Sequence, residues 1–290
     1  MSPWSLCLLA AIICAAGCNG SSNPDPKPNL TAVAALRKVA EGGGGAAEEA
    51  VSTGTGWGTL KGVFVFQGPV PPTKTLNTAG KDQVCDLHPI QDNSLVVNPD
   101  TKGIGNVVVY ARKVSRVHHS AASPSGEPKV FDQKECVFLT HVMPVQVGEK
   151  ITIKNSDPVP HNTNISPNGD TAINPLLPGG GAAEYTFGRA QTVPVGVTCN
   201  IHPWMKAYII PRKDGYLAVT GEDGSFEIPN LPAGEEIEFQ VWHERGAAEQ
   251  GGLAAKPDWT NGRFKLTLAA DGVEDLATIE VPAGAFSASN

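Results

Sequence analysis

From residue 56 onward, apolar and polar residues alternate in short runs, and no stretch sustains a helical spacing. "GTLKGVFVFQG" alternates towards its end and is closed by Gly68-Pro69. "NSLVVNPD" and "GIGNVVVYARK" are β-branched runs bounded by Asn, Gly and Pro, so both are expected to be strands. "CVFLTHVMPVQVGEKITIKNSDP" reads as two strands joined by a Val-Gly-Glu-Lys turn, and "TVPVGVTC" and "KAYIIPR" as two more. "GYLAVTGEDGSFEIPNLPAGEEIEFQVWHE" divides into three short strands at Glu-Asp-Gly and Pro-Ala-Gly, and "GRFKLTLAADGVEDLATIEV" supplies two further ones. The pattern predicts an all-β chain.

Composition agrees. The 290 residues include 32 Gly and 24 Pro, and only 18% are charged, which suits short strands linked by turns. A net charge of -7 with no Lys/Arg cluster argues against nucleic acid as a partner. Residues 1–17 form an apolar run too short to be a lasting membrane span, so they read as an export signal. "AAGC" before "NGSSNP" resembles a bacterial lipoprotein signal, which implies Cys18 as a lipid-bearing N-terminus and the membrane as a partner; ordinary secretion is the alternative. Either way the expected location is outside the cytoplasm, as a periplasmic protein or an outer-membrane lipoprotein. Residues 18–54, rich in Pro, Ala and Gly, cannot bury a core and are expected to be a flexible tether.

Cys7 and Cys14 lie in the signal, which leaves Cys85, Cys136 and Cys199 beside Cys18. In an oxidising compartment two of these should pair, and the third needs another reason to remain reduced. The segment "VTCNIHPWMKAYI" offers one. Cys199, His202 and Met205 recur at intervals of three residues, with Pro203 breaking any regular element. His161 follows two prolines in "NSDPVPHNTN". Two imidazoles, a thiolate and a thioether are the donor set of a blue-copper centre, whereas thioether is a poor zinc ligand. The competing interpretation is a buried Cys and a gap-filling Met beside a structural histidine.

These segments resemble the cupredoxin family, and "CNIHPWM" is similar to the ligand loop of its amicyanin branch. The resemblance spans about residues 131–212. It implies a Greek-key β-sandwich holding one copper through His161, Cys199, His202 and Met205, with Asn162 tying the two ligand loops together. The whole chain looks like exported bacterial proteins loosely labelled methylamine-utilisation proteins. Its flanks, through "EDGSFEI" and "NLPAG", resemble a carboxypeptidase regulatory-like, transthyretin-type sandwich. The expected organisation is that sandwich over 55–129 and 214–285, with the copper domain, 130–213, inserted or adjoining. With Cys199 assigned to copper, Cys85 and Cys136 become the natural disulfide, closing a loop of about fifty residues.

The remaining histidines carry less. His88 and His141 could form a second metal site, but structural roles are commoner. His118 and His119 sit in a polar stretch expected to be solvated, and His243 is expected to make a structural hydrogen bond. No Ser-His-Asp order, phosphate loop or spaced carboxylate pair supports a hydrolase. The expected function is single-electron transfer with an unidentified redox partner, docking on an apolar patch at an exposed His202 edge near Pro203 and Trp204. The alternatives are copper delivery, or a surface binding module with a residual copper site.

Overall fold

The computed structural model describes residues 54–288, apart from Ala79, Lys81 and Ser125. The expectations for the signal, Cys18 and most of the tether therefore lie outside the described residues. Seventeen strands are present in the described region. The first nine are β1 (Trp57–Gln67), β2 (Val108–Ala111), β3 (Lys129–Lys134), β4 (Val137–Phe138), β5 (Val142–Gln146), β6 (Lys150–Asn155), β7 (His161–Asn162), β8 (Asn164–Ile165) and β9 (Leu176–Leu177). The others are β10 (Ala182–Thr186), β11 (Val195–Thr198), β12 (Lys206–Arg212), β13 (Leu217–Val219), β14 (Ser225–Pro232), β15 (Glu236–Trp242), β16 (Arg263–Thr267) and β17 (Val273–Pro282).

The chain is an all-β protein built as β-sandwiches. One pairs the sheet β14-β1-β17 with the sheet β13-β2-β15-β16. Alternation along β1 turns Leu60, Phe64 and Phe66 inward, where they meet Ile228, Phe239, Val241 and Trp259 in one core. The other sandwich pairs β10-β6-β3-β4 with β5-β12-β11-β8. Its core holds Phe131, Ile151, Ile153, Ile165, Val197 and Ile209. The Val147-Gly148 turn carries the chain from one sheet of this sandwich to the other, and Gly148 takes φ +87°, a conformation that glycine adopts without strain.

The first core draws on residues 60–121 and 216–286, and the second on 131–209 together with Cys85 and Ile90. A smaller third core of Val108, Tyr110, Val142, Ile210 and Trp242 joins β2 and β15 to β5 and β12. Polar contacts reinforce this junction. Arg212 donates from Nη2 to the Ala111 carbonyl (2.8 Å), and its guanidinium stacks 4.5 Å above the Tyr110 ring. The Tyr110 hydroxyl donates in turn to the Thr192 carbonyl at 2.6 Å.

Two local readings need correction. "NSLVVNPD" is no strand; only Val97 makes an isolated bridge, to Ile104. Asp92 and Asn98 instead fold the segment, accepting from the amides of Ser94, Asp100 and Thr101, so Asx turns outcompete β-propensity. Residues 119–122 form a four-residue helix, capped by the His118 ring accepting from the Ser120 amide. His118 is half-buried, edge-on to Trp57 at 4.9 Å, rather than solvated. No described helix is long and apolar enough to cross a membrane.

Candidate metal centre

The site sits where β7 and the loop after β11 meet. Asn155, at the end of β6 and fully buried, shapes the approach to His161: its side chain donates to the carbonyls of Val159 and Leu177 and accepts from the Asp157 amide. Pro158 and Pro160 carry no N–H, and the Asn155 side chain satisfies the Val159 carbonyl between them. After β11 the chain folds back on itself. The Met205 amide donates to the His202 carbonyl (2.9 Å) and the Cys199 amide to the Met205 carbonyl (3.2 Å), closing a tight loop from 199 to 205.

Three donor atoms converge there. His161 Nδ1 and His202 Nδ1 are 2.8 Å apart, and Cys199 Sγ lies 4.0 and 3.8 Å from them. All three residues are buried. In the plane of these atoms, a point about 2.0 Å from each nitrogen falls about 2.2 Å from the sulphur, close to metal–imidazole and metal–thiolate bond lengths of about 2.0 and 2.3 Å. Met205, 1% exposed, belongs to the same core as Cys199.

The protonation pattern suits a cation. His161 Nε2 donates to Asp157 Oδ2 at 2.8 Å, which fixes the tautomer and leaves the Nδ1 lone pair facing His202. Burial disfavours the charged form of His161, but the neighbouring Cys199 and Asp157 outweigh it and its pKa lies above the ordinary value. His202 moves the other way, lowered by burial and then by the charge of His161. Burial raises the Cys199 thiol, yet His161 and the amides around it prevail, so the net shift favours thiolate. Without a metal a proton shared between the two Nδ1 atoms accounts for their 2.8 Å approach, and a metal would take that proton's place; two imidazoles and a thiolate fit a soft metal.

Asn162 links the two ligand loops. Its Oδ1 accepts from the amides of Asn200 (2.8 Å) and Ile201 (3.3 Å) and lies 3.5 Å from Cys199 Sγ. The side chain thereby sets the loop that carries Cys199.

Sequence reasoning missed Asp157. Its carboxylate accepts from the Glu135 amide (2.6 Å) and the Cys136 amide (2.9 Å) as well as from His161. Glu135 and Cys136 form the two-residue turn between β3 and β4, with φ +55° and +57°, the conformation of a type I′ hairpin. No glycine or asparagine marks that turn; the Asp157 carboxylate stabilises it from across the loop. The available signal was Asp157 standing four residues before His161, with no indication of the hairpin it would reach.

A disulfide joins Cys85 and Cys136 beside the site. The donor atoms of Asp82, Cys85 and His202 lie within 4.8 Å of one another, as do those of Cys136, Asp157 and His161, so the bridge packs against both imidazoles. Trp204 Nε1 donates to the Cys136 carbonyl at 3.0 Å. This arrangement corrects the expectation of an exposed ligand edge: His202 is only 2% exposed, and its Nε2 faces Asp82 Oδ2 at 3.8 Å. The segment tethered through Cys85 covers it. His88 and His141 are not brought into a metal-binding cluster among the described residues: His88 is exposed, and His141 binds Glu244.

No protein-family model matches the sequence, and no curated protein matches it. Among solved structures, a copper(I) amicyanin mutant is similar over 29% of this chain and 82% of its own, at 24% identity and a TM-score of 0.27. A reduced mutant aligns over 36% of this chain and 98% of its own, at 21% identity and TM-score 0.27. Another copper(I) mutant covers 37% and 99%, at 20% identity and the same TM-score. At such scores the likeness carries no functional weight, and the interpretation of the centre rests on its donor geometry.

Proposed function

We propose that this chain is an exported copper protein of cupredoxin type that carries single electrons between partners at the cell envelope. The observation behind this reading is the buried triangle of His161, Cys199 and His202, with His161 held in the metal-binding tautomer by Asp157. These three residues would hold the metal, and Met205 is the fourth, weak donor of the proposed set. Copper bound there supplies a one-electron couple between its +1 and +2 states. The protein's part is to hold donors acceptable to both states in a rigid, dry cage. Asn155, Asn162, Asp157 and the disulfide immobilise both ligand loops, so little has to reorganise when charge changes.

Four protein donors leave no open position for substrate on the metal, which favours a carrier over an enzyme. Burial of all the donors opposes rapid metal exchange and so disfavours a delivery role. Three segments around the site present exposed apolar side chains: Leu87 (72%), Leu176 (63%) and Ile201 (46%). A weak, small partner interface suits such residues. Cys18, as a lipid anchor, would keep the domain beside membrane-bound partners.

The test is a visible absorption spectrum with metal analysis of the exported protein, oxidised and then reduced. We expect one copper per chain and an intense band near the red end that reductant bleaches. Cys199→Ser should lose that band entirely. A colourless protein that takes up no copper would overturn the assignment.

A further inference from the structure

A cavity of about 310 Å³ lies against the outside of the ligand loop. Pro203, Trp204, Met205 and Lys206 form one wall, and His141, Glu244 and Arg245 form another. Glu244 and Arg245 follow β15 of the first sandwich, and His141 precedes β5 of the second, so the cavity exists only where the sandwiches pack together. Electron entry along the His202 edge is closed, because Asp82 and the disulfide cover that ring. Trp204 is the open flank: its ring lies 5.1 Å from that of His202 and also lines the cavity.

The chemistry of the walls narrows the occupant. Trp204 and Tyr208 supply aromatic surface. Lys206 and Arg245 are balanced by Asp92 and Glu244, so the cavity selects neither an anion nor a cation. The Arg245 guanidinium is already engaged with the Ser287 carbonyl. His141 Nε2 is bonded to the Glu244 carboxylate, and the two side chains are only 16% and 9% exposed. The carboxylate orients the ring and leaves its other nitrogen to take a second partner, the arrangement of a general base. Burial, then the charge of Glu244 and a hydrogen bond to it, pushes the Tyr208 phenol up to about 12, so Tyr208 donates to the carboxylate that also holds His141 and helps to fix it.

We propose that this cavity binds a neutral hydroxylated aromatic of the hydroquinone class, which serves as the electron donor to the metal centre; the electron-transfer half of this rests on the copper reading above. A ring in the cavity would meet the aromatic side chains of Trp204 and Tyr208, and its hydroxyl the His141–Glu244 pair. One O–H bond of the ring would break, with its proton passing to that pair. Copper held by His161, Cys199 and His202 would supply the one-electron acceptor, reached through the 203–206 wall, and the ring would be left as a neutral phenoxyl radical. Loss of a second proton and electron, once the centre had passed the first electron to a partner protein, would give the quinone.

Binding is measured first on the full, metal-free chain, titrated with hydroquinone under nitrogen by calorimetry and tryptophan fluorescence. 1,4-Dimethoxybenzene, which lacks the hydroxyls, is the control. We expect saturable hydroquinone binding that is at least tenfold tighter than the control and at least tenfold weaker in His141→Leu. Tyr208→Phe, which keeps the ring but releases Glu244, should weaken it severalfold, and thermal unfolding recorded for both variants separates lost binding from a folding defect. Unsaturable binding, or equal affinity for both probes, overturns the proposal. With copper loaded and oxidised, the bleaching rate should saturate with hydroquinone in the parent protein and become linear in His141→Leu. A blue protein that binds no hydroquinone overturns the cavity assignment and leaves the copper centre standing. Binding without copper uptake keeps the site and removes its redox role.

Discussion

The two sandwiches are similar in architecture and different in what their ends contain. In the first, strand ends are closed by Asp-Gly and Pro-Ala-Gly turns: Gly224 and Gly234 take φ +77° and +75°, and Asp223 accepts from Ser225. In the second, the loops around the site bury Asn155, Asp157, His161, Asn162, Thr163 and His202. Turns of the first kind are satisfied within a few residues of sequence. Those of the second depend on partners far along the chain, as when Asp157 holds the 135–136 hairpin and His161 together. The difference is one between local turn chemistry and a cross-linked polar cage, and it is the cage that brings His161, Cys199 and His202 together.

The strongest way to break that contrast is to remove the cross-link. Replacing Cys85 and Cys136 together by Ala releases a loop of sequence separation 51. The expected loss is about 4 kcal/mol of stability, measured by urea unfolding, with His202 becoming reactive to diethylpyrocarbonate. If His202 stays protected, the Cys85 segment is not what covers it.

Asp157→Asn is the next largest. The amide sets an N–H donor against a backbone amide, so one hydrogen bond becomes a clash. We expect a loss of about 1–3 kcal/mol and metal affinity lowered about 10–100-fold, with ¹⁵N spectra of the metal-free protein showing a changed His161 tautomer. An unchanged tautomer would mean that Asp157 serves the hairpin alone.

Acid should also act on His243, which packs on Phe286 in the first sandwich. Burial, with the nearby His141 charge, pushes His243 down to about 3 from its ordinary 6.5. The folded state therefore keeps it neutral while the unfolded chain takes up a proton below pH 6.5. Stability from this group is complete above that pH and falls as pH drops from 6.5 towards 3, by about 1 kcal/mol per unit. His243→Gln should flatten this part of the stability–pH curve; an unaltered slope would assign it to other groups. The smallest effect belongs to Lys150–Glu184 on β6 and β10, 2.9 Å apart with both side chains 63% exposed. Its removal should change stability by less than about 0.5 kcal/mol, and a loss above about 1 kcal/mol would mean that surface charge helps to hold these strands together.

Much of the molecule was legible from residue order. Alternation along residues 58–67 marks β1, and β-branched runs mark β2, β5, β6, β11 and β12, because a strand's two faces impose a period of two on sequence. The candidate donors were legible because a thiol, two imidazoles and a thioether form a chemically distinctive set. β3 went unread, although Phe131 and Gln133 are both fully buried, because its inward Gln breaks the apolar alternation.

What sequence alone determined, then, is what depends on residue type and near neighbours: strand identity, the turns that contain glycine, and which side chains could bind a metal. Tertiary structure decided the rest. Which carboxylate reaches His161, what covers His202, and where a cavity opens beside Trp204 all depend on segments tens of residues apart meeting across a sheet or a disulfide. The physical reason is that hydrogen bonds and burial are set by distance in space, and spacing along the chain does not encode those encounters once a turn has no local signature.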